Sequence, residues 1–139
     1  MKTSFLKLSL PWLLIALAAL LAAALRYGLI EPANIEHLCE GGHHDPAWCS
    51  WRHAVVIGFF TYGYGYAALA AAALALLWKH PFAAWLSGAI GVFALLLYCY
   101  EAGALALLIG SLRLLRWQAN SLAAGDQHGH RDQQVQAKP

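Results

Sequence analysis

The chain has 139 residues, 60% of them apolar and 12% charged, with a net charge of +2 and a mean hydropathy of +0.52. Globular domains carry about a quarter charged residues, so this composition excludes an ordinary water-soluble fold. The weak positive charge, spread over the ends of apolar runs, gives no footing for nucleic acid and points to a lipid bilayer as the partner.

Residues 8–25 form the first apolar run, uncharged, with Trp12 near its start. A membrane-crossing helix needs about 20 such residues, and this run is read as the first span. Lys2 and Lys7 ahead of it and Ala22-Ala23-Ala24 at its end resemble a signal peptide with its cleavage site. The run is longer than the apolar core of most signal peptides, about 7–15 residues, so a retained anchor is expected.

Residues 26–53 break the apolarity with four acids, four histidines and two of the three cysteines. Cys39 and Cys49 have nine residues between them. On an oxidising side of a membrane they are expected to form a structural disulfide, stabilising the loop by about 2–3 kcal/mol. The close Cys-x-x-Cys spacing of thiol catalysts is absent. A thiol-redox or quinone-reactive protein using this pair, with Cys99 as a third thiol, is the alternative reading. His37, His43 and His44 stand among Glu36, Glu40 and Asp45, ligands suited to zinc or copper. Their spacing fits no zinc motif, so a solvated acidic loop is the simpler reading, and no cofactor is assigned. Arg26-Tyr27, Glu31-Pro32, Trp48, Trp51 and Arg52 are expected to make an ordered cap over the helix ends, a docking surface for a periplasmic partner.

Residues 54–78 give a second, tilted span. The Tyr62-Gly63-Tyr64-Gly65-Tyr66 alternation looks strand-like, but a lone strand in lipid would leave its backbone unpaired, so a continuous helix is predicted. Residues 82–117 would reach roughly 54 Å as one helix, too long for a bilayer. A turn around Tyr98–Gly103 divides them into spans at 82–99 and 102–117. The expected fold is therefore all-α: an integral membrane four-helix bundle of two hairpins over residues 1–124. Residues 125–139, including His128 and His130, are polar and predicted to be a disordered cytoplasmic tail.

Glu101 lies in that last turn, level with Arg26 and Arg52. An ion pair or interfacial turn is the plain expectation. The sharper one is an outer-face polar site of Arg26, Glu101, Arg52, Tyr62 and Tyr98, with Tyr66 and Tyr100 nearby, for a proton, a cation or a quinone headgroup. Arg113 is expected to snorkel to the inner headgroups. His53 and His80 fall at the edges of the second span, which disfavours a membrane-embedded haem.

Lys2, Lys7, Lys79, Arg113, Arg116, Arg131 and Lys138 fall on one side of the four spans, and only Arg26 and Arg52 on the other. The positive-inside rule then puts both termini in the cytoplasm of a bacterial inner membrane and loop 26–53 outside. Tryptophans agree, with Trp12, Trp78, Trp85 and Trp117 on the inner side and Trp48 and Trp51 on the outer. Ala18/Ala22, Ala84/Gly88, Ser87/Gly91 and Ala106/Gly110 are spaced four apart and share helix faces that favour close helix approach. They serve either internal packing or docking onto another membrane protein. The expected role is a non-catalytic accessory or assembly component of a larger membrane complex, respiratory by base rate, with metal-ion capture or transport as a further alternative.

Overall fold

A computed structural model describes residues 2–40 and 47–136. Among them the fold is all-helical: α1 (Lys2–Leu25) continues into a π-helical turn (Arg26–Ile30), followed by α2 (Ala33–Glu40), α3 (Ala47–Phe60), α4 (Gly63–Leu77), α5 (Pro81–Leu96) and α6 (Tyr100–Gln136). The π turn follows α1 without a break, and Leu8–Ile30 is the one described helix long and apolar enough by itself to cross a membrane. α3 and α4 pass the same test only together, bent by 60°. α5 is apolar but shorter, at 16 residues.

The bend corrects the expectation of one helix over 54–78. Tyr62 sits in the left-handed region at φ 58°, which ends α3 and starts α4 on a new axis. Thr61 caps the outgoing turn, its hydroxyl donating to the Ile57 carbonyl at 2.8 Å. Gly65 lets the Tyr62 ring fold back over α4, since a Cβ there would meet that ring. The break lies at Thr61 and Tyr62, and the rest of the repeat forms the first turn of α4. The polar loop also carries a helix of its own, α2.

The turn between α5 and α6 falls where apolarity lapses. Leu97 and Tyr98 leave helical geometry, Tyr98 at φ 68°, and α6 begins at Tyr100. At the other end, His80 caps α5, its Nδ1 accepting from the Phe82 amide at 3.2 Å, and Pro81 occupies the first turn. α6 continues as helix to Gln136, past Gly125 where the sequence predicts disorder. Glutamine and arginine in this stretch are compatible with helix, and adding residues to an existing helix is cheap.

The interior is built from small residues. Ala68 and Ala72 of α4, Ala94 of α5, and Ala102 and Ala106 of α6 are buried around Cys99. Between α5 and α6 the backbones touch: a Cβ on Gly91 would lie 2.4 Å from the Leu107 amide nitrogen, and one on Gly110 2.5 Å from that of Gly88. Ser87 is fully buried and donates to the Ala106 carbonyl across the seam at 2.8 Å. The Ala84/Gly88, Ser87/Gly91 and Ala106/Gly110 pairs are thus buried inside the molecule. Large apolar side chains lie outside instead, including Leu13, Leu20, Leu77, Leu108 and Leu112, all exposed.

α1 rests on α5, with Ile15 against Gly88 and Ala22 packed with Val55 and Leu97. At its N-terminal end Trp12 Nε1 donates to Gln118 Oε1 at 3.2 Å, and Gln118 Nε2 donates to the Leu8 carbonyl at 2.8 Å. The bundle therefore has two ends: one with Trp12, Trp85 and Gln118, the other with Arg26, Leu96 and Tyr98.

Candidate functional site

Arg26 organises the second end. It opens the π turn, in which the Glu31 amide donates to the Arg26 carbonyl at 3.0 Å. The wider π coil stacks residue 31 over residue 26. The Arg26 Nε then donates to Glu31 Oε1 at 2.9 Å, and Nη1 donates to the Leu96 carbonyl at 3.2 Å, an orphan acceptor in the last turn of α5. Tyr98 completes the set. Its ring faces the guanidinium at 4.3 Å from the centroid, and its hydroxyl donates to the same Glu31 oxygen at 3.1 Å. The hydrogen bond from Arg26, aided by that from Tyr98, holds the Glu31 carboxyl below the usual carboxylate range.

Of the outer-face residues expected from sequence, this brings together Arg26 and Tyr98. Arg52 comes to the same segment by another route, its Nε donating to the Leu29 carbonyl at 3.2 Å. Tyr62 pairs edge-on with Tyr66 at 5.6 Å instead. Glu101 is exposed on the first turn of α6, and the carboxylate paired with Arg26 is Glu31. Sequence reasoning placed Arg26 and Glu31 in one cap without pairing them, because residues five apart do not meet on an α-helix. The available signal was Pro32, which forces the chain out of helix just after Glu31.

The chemistry of this arrangement is that of a clasp. The cation has a carboxylate, a helix-end carbonyl and an aromatic face, and the carboxylate oxygen accepts two donors. This set ties α1 to the α5–α6 turn.

The Cys39–Cys49 disulfide links α2 to α3, with the α-carbons 5.6 Å apart. Cys99 is the free cysteine, 1% exposed in the alanine core. His43 and His44 lie outside the described residues, and His37 is exposed on α2. Among the described residues no group of three His, Cys, Asp or Glu side chains converges to hold a metal ion. Arg113 does more than the sequence suggests: its Nη2 donates to the Leu76 carbonyl, capping the last turn of α4. No protein-family profile matches the chain, and no curated protein or solved structure matches it at a significant level.

Proposed function

We propose that this chain is a multi-span inner-membrane protein of non-catalytic role, an accessory, stabilising or assembly component of a larger membrane complex. The observation that carries the reading is the inverted packing: alanine, glycine and serine make up most of the interior, and most leucines lie outside. In water, exposing this many leucines would leave an apolar surface far beyond the patches that monomers tolerate. In lipid the leucines are solvated, and small residues supply the backbone contact that drives helix association. α1, α4, α5 and α6 are the proposed spans, with α3 oblique at the outer surface. The gathering of Lys79, Arg113 and Arg116 with Trp78 and Trp117 at one end, and of the disulfide-bearing segment at the other, supports cytoplasmic termini and an oxidising outer face.

The accessory role is supported by how the polar groups are used. The clasp, the Gln118 bridge and the Arg113 cap all join one helix to another. A partner would meet the leucine face of α1, where Leu10, Leu13, Leu17, Leu20 and Leu21 are exposed.

Three measurements test this. Alkaline carbonate should leave the protein in the membrane pellet; release into the supernatant would sink the membrane reading. Phosphatase fused after Glu40 should be active and a fluorescent reporter after Asn120 should glow; the reverse pattern would invert the topology. For the role, mild-detergent extraction should yield an assembly much larger than 15.1 kDa plus its micelle. A monomer whose loop thiols cycle on quinone addition would instead favour the redox alternative.

A further inference from the structure

The end of the bundle opposite the clasp carries a cleft of about 640 Å³ between the end of α4, the start of α5 and the middle of α6. Lys79, Arg113 and Arg116 line it, together with His80. Among the described residues no carboxylate lines this cleft, and the ion pair found among them, Arg26–Glu31, is at the far end. Arg113 spends one donor on the Leu76 carbonyl, out of the five a guanidinium holds. The remaining lining is of a different kind: Trp78 and Trp117 beside the cations, and Leu76 and Leu112 beyond them.

We infer that this cleft binds the phosphodiester headgroup of an anionic phospholipid, with an acyl chain lying along Leu76 and Leu112. The inference rests on the membrane reading above. Three cations without a carboxylate call for a polyoxygenated anion, and tryptophan is the side chain that sits at headgroup depth. A soluble phosphate ester would satisfy the cations but would gain nothing from the tryptophan-flanked leucines. A zwitterionic lipid would bring its own cation into a cleft already positive. The lipid acts as a counterion that lets Lys79, between α4 and α5, stand beside Arg113 and Arg116 of α6.

The test uses the full chain purified in non-ionic detergent, with native mass spectrometry to count retained lipid. Phosphatidylglycerol should be retained at least about tenfold more than phosphatidylcholine, and the preference should collapse near 0.5 M salt. The Lys79→Gln/Arg116→Gln double variant, which spares the Arg113 cap, should lose about tenfold in that preference. Arg52→Gln, at the other end, should keep it. Circular dichroism of the double variant checks its fold, and the salt series on the unmodified chain decides the matter where that variant fails to fold. Equal retention of the two lipids, an unchanged double variant, or displacement of bound lipid by millimolar inorganic phosphate would each overturn the assignment. A chain that resists carbonate extraction yet shows no headgroup preference refutes the cleft alone. Release by carbonate removes both readings.

Discussion

Between α5 and α6 the two backbones meet directly, and no methyl group fits at Gly91. α1 meets the same bundle through few side chains: 11% of its spanning window is buried, and Ile15 and Ala22 are its buried anchors. Where apolar surroundings remove the hydrophobic drive, two means of holding helices together are left, close packing and polar bonds. The α5–α6 hairpin uses the first along its length, joined by the Ser87 hydrogen bond to Ala106. α1 uses the second at its ends, with Gln118 at one and Arg26 at the other.

The difference can be broken most forcefully at the seam. Gly91→Val places branched carbon against the Leu107 amide and should cost about 3 kcal/mol or more in resistance to denaturing detergent. A wild-type unfolding profile for this variant would mean that α5 and α6 do not pack as described. Opening the Cys39–Cys49 bridge by Cys39→Ser/Cys49→Ser should cost about 2–3 kcal/mol, confined to the cap. Limited proteolysis should then cut between α2 and α3 while α4 to α6 stay intact; parallel loss of the whole bundle would contradict that confinement.

Smaller effects are expected on α1. Gln118→Leu leaves the Trp12 indole N–H and the Leu8 carbonyl without their partner, which in a membrane costs about 1 kcal/mol. Spin labels on α1 and α6 near this end should show a broadened distance, with the Arg26 end unchanged. The slightest effect is the titration of Glu31. Its folded-state pKa lies below the ordinary carboxylate value, so its contribution is present at and above neutral pH and is lost as pH falls through that depressed value. Labels spanning Arg26 and Tyr98 should separate on acidification below the usual carboxylate range, and Glu31→Gln should remove the pH dependence. Loosening on the alkaline side instead would assign the clasp to other groups.

Much of this arrangement is legible from residue order. The turn at Tyr98 follows from the length of an uninterrupted run against bilayer thickness, and the disulfide from two cysteines in one short polar loop. The break at Tyr62 was harder, because tyrosine and glycine are compatible with helix and only the positive φ at Tyr62 decides otherwise. The Arg26–Glu31 contact depends on a π turn, which no apolar periodicity announces. For the small-residue pairs, spacing marks a face for close approach without saying which helix approaches it. The fold supplies that answer by placing α6 against α5.

The shortness of α4 and α5 has a consequence for the surrounding lipid. At 15 and 16 residues they rise only about 22–24 Å, against a hydrocarbon layer about 30 Å thick. Set in a bilayer, this side of the molecule would pinch the two leaflets toward each other, while the longer α1 stands at full height. A wedge of that kind would draw compressible, short-chained lipid to one flank and would give a preference for thin membrane.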